Sequence, residues 1–333
     1  MDDFAQLNLV GRSPAFLAAL AAVAKFAVCD ATVLIEGETG TGKELVARAV
    51  HYLSARRDAA FIPINCATLP DNLVESELFG HVRGAFTDAK EARIGLIAQA
   101  EGGTLFLDEI EAISPRAQAG LLRFLQNREY RPVGGTLVRQ AKVRVLASSN
   151  ADLKAMVAQG LFRSDLLFRL NVLSVQLPAL RVRTGDIALL TAAFLRRLSS
   201  EFDAPVKTLS RASMGRLEAH SWPGNVRELE NLVYREWLLA TGSVIEIGSI
   251  EDSPADVDPP TATRDSGQQT YKVAKASAVA EFERIYMSRL LATTAGNMTL
   301  AAQIAGKDRS DLGKLLKKHG LSRQSFLGCT ENP

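Results

Sequence analysis

The chain has 333 residues, 47% of them hydrophobic and 23% charged, with a formal net charge of +2. It has no run of about 18 uncharged apolar residues and no signal peptide, which argues against a membrane span and favours the cytoplasm. Cys29, Cys66 and Cys329 are far apart, and neither they nor the histidines have metal-ligand spacing, which argues against a disulfide framework and a structural zinc site.

Short β-branched runs alternate with segments of helical period from Ala31 to about Pro178. Such alternation predicts an α/β fold with a mainly parallel sheet covered on both faces. Ligands of such sheets bind at the carboxyl ends of the strands. The predicted strands lie in the runs ATVLIEG, AFIPINC, GTLFLDE, KVRVLASSN and VLSVQLP.

Helical patterns dominate the rest of the chain. The change of pattern predicts an α/β subdomain over residues 1–183 and a smaller helical subdomain over residues 184–250. Residues 251–271 are rich in Pro, Ser, Thr, Asp and Gln, a composition that predicts a linker. Residues 272–333 return to helix and form the last predicted domain.

The stretch GETGTGKE follows a predicted strand and opens a predicted helix, which is the context of a phosphate-binding P-loop. Its glycines let backbone N–H groups surround phosphate oxygens, and Lys43 would reach the β- and γ-phosphates. The alternative is a glycine-rich turn with a surface lysine, and Glu44 stands where a Ser or Thr normally approaches Mg²⁺. The predicted ATP ligands of this segment are Gly37, Glu38, Thr39, Gly40, Thr41, Gly42, Lys43 and Glu44.

Two carboxylates end the predicted strand GGTLFLDE. Asp108 would hold Mg²⁺ and Glu109 would polarise the attacking water, unless the pair caps the next helix instead. Ser149 and Asn150 end another strand and are predicted to sense the γ-phosphate. Asn65 ends the strand AFIPIN and is predicted to act as a switch by hydrogen-bonding Glu109, although a strand-end Asn also forms turns.

A series of motifs resembles the AAA+ domain of bacterial enhancer-binding proteins, the activators of sigma-54 RNA polymerase. The resemblance covers residues 8–248 and rests on GETGTGKE, NCATL, SELFGHVRGAFTDA, GGTLFLDE, FRSDLLFRLN, LPALRVRTGDI and WPGNVRELEN. Glutamate after the P-loop lysine is usual in that family, so Glu44 fits it. The short N-terminus resembles the phage-shock-protein activator type, for which no receiver domain is expected ahead of the ATPase.

The resemblance also assigns arginines to the ATP site. Arg163 and Arg169 match the arginine fingers, which cross a subunit boundary to neutralise charge on the γ-phosphate. Arg227 matches the sensor II arginine of the lid. Without the motif, Arg163 and Arg169 would read equally well as helix-surface arginines. The resemblance implies a homo-oligomer, a hexamer when active and a dimer when inactive.

The stretch RGAFTDA contains one large apolar residue among small ones, so Phe86 is either folded into the core or displayed. The resemblance favours display, because the corresponding GAFTGA loop touches sigma-54. The predicted sigma-54 contacts are Gly84, Ala85, Phe86, Thr87, Asp88 and Ala89. Asp88 replaces the second glycine of the family motif, which adds charge and removes backbone freedom. We expect the contact to persist in modified form.

The C-terminal segment resembles a Fis-type helix-turn-helix. Residues 272–333 contain ten Lys or Arg and five Asp or Glu, a surplus suited to DNA phosphates. A solvated helical face would have a similar composition. The predicted DNA contacts are Arg309, Ser310, Lys314, Lys317 and Lys318.

Together these features predict an ATP-hydrolysing activator that binds upstream double-stranded DNA and remodels the closed complex of sigma-54 RNA polymerase. The alternative is a DNA-binding AAA+ regulator with lost or altered sigma-54 contact, which acts as a repressor or with another sigma factor. An unrelated AAA+ chaperone or replication ATPase is disfavoured by the RGAFTDA loop and the terminal helices. An inhibitory protein partner is expected to regulate the ATPase.

Overall fold

The computed structural model describes residues 7–68, 71–86, 89–248 and, singly, Phe4, Ile250, Thr294, Met298 and Ala301. The chain divides after Asp256 into two units, and everything below concerns the first. The predicted linker lies outside the described residues. So do Thr87 and Asp88 of the predicted sigma-54 loop, and the predicted DNA contacts Arg309, Ser310, Lys314, Lys317 and Lys318.

A five-stranded parallel sheet forms the centre of the unit. In spatial order its strands are Phe61–Asn65, Thr104–Asp108, Arg144–Ser149, Val33–Glu36 and Leu173–Gln176, and every neighbouring pair is parallel. Each strand lies within one of the β-branched runs, so the predicted parallel α/β sheet is confirmed. The strands are β1 (Val33–Glu36), β2 (Phe61–Asn65), β5 (Thr104–Asp108), β8 (Arg144–Ser149) and β9 (Leu173–Gln176).

Two apolar layers cover the sheet because successive side chains of a strand point to opposite faces. Val33, Ile35 and Phe106 pack on one face, and Leu34 and Leu105 pack on the other. All five side chains are fully buried. Both faces are therefore dry, and the carboxyl edge of the sheet is left for polar residues.

The helices begin where the sequence supplies caps. The Ser114 hydroxyl accepts the N–H of Ala117, and the Asp152 carboxylate accepts the N–H of Lys154 and Ala155. The helices are α1 (Pro14–Ala27), α2 (Lys43–Tyr52), α3 (Asp71–Phe79), α4 (Leu96–Gln99), α5 (Pro115–Asn127), α6 (Leu153–Ala158), α7 (Ser164–Leu170), α8 (Asp186–Glu201), α9 (Arg211–Ala219) and α10 (Asn225–Leu239). Short 3₁₀ turns occupy Cys66–Thr68, Ile110–Ala112 and Leu180–Val182. Among the described residues, no helix is both long and apolar enough to cross a bilayer.

In the described part of the chain, three pairs of two-residue strands lie outside the main sheet. β3 (Gly80–His81) pairs antiparallel with β4 (Arg93–Ile94), and β6 (Glu129–Tyr130) pairs antiparallel with β7 (Arg139–Gln140). In the helical region, β10 (Thr208–Leu209) pairs parallel with β11 (Val244–Ile245). The RGAFTDA segment belongs to the connection between β3 and β4.

The helices α8, α9 and α10 pack around a separate core that contains the fully buried Trp222. A buried ion pair joins this lid to the N-terminal segment. The Arg183 guanidinium donates to the Asp186 carboxylate at 2.9 Å, and Asp186 also accepts the Ser13 N–H at 3.0 Å. Burial raises the pKa of Asp186, but hydrogen bonds from Arg12, Arg183 and Ser13 outweigh it and hold that pKa below its usual value.

Candidate active site

The P-loop connects the end of β1 to the start of α2. Gly40 and Gly42 have φ values of +78° and +99°, which L side chains rarely adopt. The Thr41 hydroxyl donates to the Glu38 carbonyl at 2.7 Å, and the Gly37 N–H donates to the Ser149 carbonyl at 3.2 Å. The loop is thus folded on itself and held to the neighbouring strand β8.

Lys43, the first residue of α2, is 8% exposed. Its ammonium donates to the carbonyls of Gly37 at 2.8 Å and Glu38 at 3.2 Å. Burial lowers the pKa of Lys43, and the carboxylates of Asp108, Glu111 and Glu109 oppose that shift. The ammonium lies inside the loop at the N-terminus of α2, and a glycine-rich loop at a helix N-terminus is suited to bind phosphate.

Asp108 and Glu109 lie together at the carboxyl end of β5, as predicted. The Ser148 hydroxyl of β8 donates a short hydrogen bond to Asp108 and accepts the Glu109 N–H at 3.3 Å. Glu109 has a φ of +53°, so the chain turns sharply after the strand. One serine therefore fixes the positions of both acidic residues.

The structure places Asn150 and Asn65 at the same edge. The Asn150 amide donates to the Thr39 hydroxyl of the P-loop at 3.2 Å. The Asn65 side-chain oxygen accepts the Ala67 N–H at 2.9 Å, which is a turn-forming bond. In the part of the chain that the structure describes, Asn65 makes no hydrogen bond to Glu109, so its switch role stays a prediction.

The start of lid helix α10 closes over the P-loop. The Gly40 carbonyl accepts the N–H groups of Val226 at 3.0 Å and Arg227 at 3.3 Å. A cavity of about 260 Å³ lies between these parts. Its lining residues are Thr39, Gly40, Gly42, Lys43, Glu44, Leu45, Asp108, Glu109, Val226, Arg227 and Glu230. The predicted sensor II residue Arg227 therefore faces the same cavity as Lys43.

Asn225 connects the lid to the P-loop a second time. Its side-chain amide, in a fully buried residue, donates to the Thr39 carbonyl at 3.0 Å and to the Glu38 carboxylate at 3.2 Å. Arg181 also binds Glu38 with two guanidinium nitrogens. These bonds, with that of Arg181 the strongest, lower the pKa of Glu38, although burial opposes them. Glu38 thus acts as a bridge between subdomains in this structure.

Two predicted site residues, Arg163 and Arg169, lie outside the cavity, and a third, Glu44, lines it but has its carboxylate paired with another side chain. The Glu44 carboxylate pairs with Arg48 at 2.7 Å on the surface of α2. Arg163 pairs with Asp165 at 2.8 Å just before α7, and about half of each side chain is exposed. Arg169 is exposed on α7, next to Phe168 with 80% exposure. The two arginines are outside the cavity of their own chain.

The loop after β3 is held mainly by its own backbone. The Gly84 N–H donates to the Ala89 carbonyl at 2.8 Å, and the Ala89 N–H donates to the Phe86 carbonyl at 3.0 Å. The Phe86 ring contacts the His81 ring edge-on at 5.0 Å and is 39% exposed. Phe86 is therefore neither buried in the core nor fully displayed.

Sequence reasoning missed Asn225, Arg181 and Glu111. Asn225 and Arg181 lie in the motifs WPGNVREL and LPALRVRTGDI, so those motifs were the available signal. Glu111 follows Glu109 by two residues and accepts the Asn150 N–H at 3.1 Å. Its signal was only a further acidic residue in the stretch DEIE.

A parallel sheet with a P-loop, a carboxylate pair at its carboxyl edge and a helical lid over the loop define an AAA+ ATPase. Residues 9–176 match the sigma-54 interaction domain, and residues 181–266 match the AAA+ ATPase lid domain. The chain belongs to the family of the sigma-54 interaction domain.

Two curated relatives cover nearly the whole chain. It is 42% identical over 334 residues to the DNA-binding transcriptional regulator NtrC of Azospirillum brasilense, covering 94% of this chain and 69% of NtrC. It is also 42% identical over 318 residues to the transcriptional regulatory protein GlrR of Escherichia coli (strain K12), covering 96% and 69%.

Among solved structures, NtrX from Brucella abortus in complex with ATP has a TM-score of 0.66 and 32% identity, covering 94% of this chain and 69% of that chain. The same protein in complex with ADP has a TM-score of 0.66 and 33% identity, covering 95% and 69%. These relatives support an ATPase of the transcriptional-regulator type, and the expected phage-shock subtype stays a prediction.

Proposed function

We propose that the chain is an ATP-driven transcription activator that binds upstream DNA and remodels the closed complex of sigma-54 RNA polymerase. The observation that carries the proposal is one domain with both a nucleotide cavity and a separate surface loop. The cavity holds Lys43, Asp108, Glu109 and Arg227, and the loop presents a half-exposed Phe86. The match of residues 9–176 to the sigma-54 interaction domain supports this assignment.

Hydrolysis uses residues at the carboxyl edge of the sheet. The Lys43 ammonium would exchange its loop carbonyls for oxygens of the β- and γ-phosphates. Glu109 would accept a proton from the attacking water, and Asn150 would donate its amide to the γ-phosphate. Ser148 keeps the Glu109 backbone in place through the 3.3 Å bond to its N–H.

Mg²⁺ fits this donor set. The described residues contain no group of three His, Cys, Asp or Glu residues that could hold a metal alone. Mg²⁺ is typically held by one or two carboxylates together with substrate phosphates, and Asp108 supplies such a carboxylate. When bound, the ion would neutralise charge that develops on the phosphates.

The active form is proposed to be a ring. Arg163 and Arg169 are exposed outside their own cavity, as expected of fingers that serve a neighbouring subunit. A hexamer would give each cavity a finger from the next subunit, and a dimer would be the inactive form. Arg227 would report the nucleotide state to the lid, since it is both a cavity residue and part of α10.

The loop Gly84–Ala89 is the proposed sigma-54 contact. Phe86 offers an apolar ring, and the helix-turn-helix proposed for residues 272–333 would hold the ring of subunits near the promoter through Arg309, Ser310, Lys314, Lys317 and Lys318. Asp88 favours a second candidate function, because it replaces the glycine of the family motif. In that case the protein would be a DNA-binding AAA+ regulator with lost or altered sigma-54 contact, which acts as a repressor or with another sigma factor.

In vitro transcription tests the proposal. A sigma-54 promoter with an upstream site is transcribed with purified sigma-54 polymerase, this protein, and either ATP or a non-hydrolysable analogue. We expect transcripts only with this protein and ATP, and none with Glu109→Gln. Glu101→Gln is the matched control, because Glu101 is an exposed glutamate near the opposite end of β5 and β8. Transcripts that do not depend on this protein, or that survive Glu109→Gln, would refute the proposal.

A further inference from the structure

Glu111 is a third carboxylate at the nucleotide edge. It lies in the 3₁₀ turn Ile110–Ala112, which begins directly after Glu109. The φ of +53° at Glu109 turns the chain back toward β8, so the Glu111 side chain reaches the neighbouring strand end. There its Oε1 accepts the backbone N–H of Asn150 at 3.1 Å.

The bond to Glu111 satisfies the Asn150 N–H, which strand pairing does not. The register of β8 with β1 ends at Ser149, which is opposite Glu36, and the register of β8 with β5 ends at Ala147. Asn150 follows both ends, so no strand holds its N–H. Two side-chain bonds fix Asn150 instead, one from its N–H to Glu111 and one from its amide to Thr39 at 3.2 Å.

The other oxygen of Glu111 shows that this carboxylate is not a solvated surface group. Its Oε2 is buried and has no hydrogen-bond partner among the described residues. The charge of Glu111 acts on Lys43, as do those of Asp108 and Glu109. Glu111 thus belongs to the polar cluster of the site, and among the described residues its carboxylate accepts one hydrogen bond, from the Asn150 N–H.

We propose that Glu111 is a positioning residue for ATP hydrolysis and acts through Asn150. By accepting the Asn150 N–H, Glu111 holds the asparagine backbone in the position from which the side-chain amide would reach the γ-phosphate. The inference rests on the role proposed above for Asn150. It concerns the rate of hydrolysis and not the affinity for nucleotide, because Glu111 is absent from the lining of the cavity that holds Lys43 and Arg227, and Asn150 reaches that cavity through its bond to the lining residue Thr39.

Three substitutions separate hydrogen bonding from charge and from general folding. Glu111→Gln keeps an acceptor oxygen at Oε1 and places its NH₂ where Oε2 has no protein partner. Glu111→Ala removes the acceptor. Glu101→Ala is the matched control, because the Glu101 carboxylate accepts a backbone N–H, that of Lys142 at 3.1 Å, just before the opposite end of β8.

The measurement is steady-state ATP hydrolysis by the full chain without polymerase or DNA. We expect Glu111→Ala to lower kcat about tenfold and to leave KM for ATP within about twofold, because a misplaced group costs rate more than binding. Glu111→Gln should keep at least about half of the wild-type kcat, and Glu101→Ala should match wild type.

A double-mutant cycle then tests the route through Asn150. Asn150→Ala combined with Glu111→Ala should be no slower than Asn150→Ala alone, since the two residues act as one unit. The inference is overturned if the two losses multiply, if Glu111→Gln is as slow as Glu111→Ala, if KM rises while kcat is unchanged, or if Asn150→Ala hydrolyses ATP at the wild-type rate. Because no polymerase is present, these outcomes leave the sigma-54 proposal to its own transcription test.

Discussion

The nucleotide edge and the loop after β3 are held in opposite ways. At the nucleotide edge, hydrogen bonds join residues that are far apart in the chain, as with Asn225 and Thr39 or Asn150 and Glu111. In the loop, the bonds join neighbours such as Gly84 and Ala89, and Phe86 remains 39% exposed. The difference indicates a site that must keep one geometry and a loop that can exchange contacts without disturbing the sheet.

Arg169→Ala is the change expected to affect hydrolysis most. Arg169 is exposed like Phe86, yet it is proposed to complete the cavity of a neighbouring subunit. We expect ATP turnover to fall about 10³-fold or more, since a missing arginine finger leaves charge on the γ-phosphate unneutralised. Mixing Arg169→Ala with Lys43→Ala subunits should restore part of the activity, because some interfaces then contain both residues. No recovery in the mixture would contradict a finger supplied in trans.

Lys43→Ala tests the nucleotide edge, the first of the two regions compared above. Removal of the ammonium should lower ATP turnover about 10²-fold to 10³-fold, because it removes a preorganised donor to the phosphates. The control is Lys142→Ala, whose side chain lies on the surface at the opposite edge of the sheet. Hydrolysis by Lys43→Ala at a rate near that of the control would place the nucleotide elsewhere.

Gly40→Ala tests how tightly the lid meets the P-loop. A Cβ at Gly40 would lie 2.2 Å from the Gly224 carbonyl oxygen, in a residue whose φ is +78°. We expect the free energy of unfolding to fall by about 1–3 kcal/mol, as seen by thermal or urea unfolding without nucleotide. Gly42→Ala is the control, because it has a positive φ but no atom within 4 Å of its added Cβ. Equal losses in the two variants would show that the lid contact contributes nothing.

Phe86→Ala should have the smallest effect on hydrolysis. The ring packs edge-on against His81 and is outside the nucleotide cavity, so ATP turnover should stay within about twofold of wild type. Transcription from a sigma-54 promoter should nevertheless be lost. Ile94→Ala is the control, since Ile94 is 62% exposed on β4 at the base of the same loop. A large loss of ATP turnover in Phe86→Ala would remove the distinction between the two regions.

Most of the sheet and much of the site could be predicted from the sequence. Buried strands such as Val33–Glu36 and Thr104–Asp108 have continuous apolar runs, and parallel pairing brings their carboxyl ends to one edge. Lys43, Asp108 and Glu109 therefore line one cavity, and Asn150 bonds to Thr39 beside them, while their roles in hydrolysis stay predictions. The two-residue strands β10 and β11 were not predicted, because two residues are too few to show a period.

The contacts that depend on distant residues could not be predicted. The half-buried state of Phe86 follows from the pairing of β3 with β4, which places His81 under its ring. The bond from the Asn150 N–H to Glu111 joins the end of β8 to the turn that follows β5. No local sequence pattern encodes the geometry of that turn. Asn65 illustrates the same limit. An asparagine at the end of a strand is compatible both with the turn-forming bond to Ala67 and with the predicted switch role, and the sequence does not distinguish them.

Binding of sigma-54 to the nucleotide-loaded protein tests the central claim most directly. Wild type, Phe86→Ala and Asp88→Gly are each mixed with purified sigma-54 and ADP plus a metal fluoride, which imitates the transferred phosphoryl group. The account predicts a stable complex for wild type, no complex for Phe86→Ala and a complex at least as stable for Asp88→Gly. A complex that forms only with Asp88→Gly, or that Phe86→Ala forms as well as wild type, would contradict it.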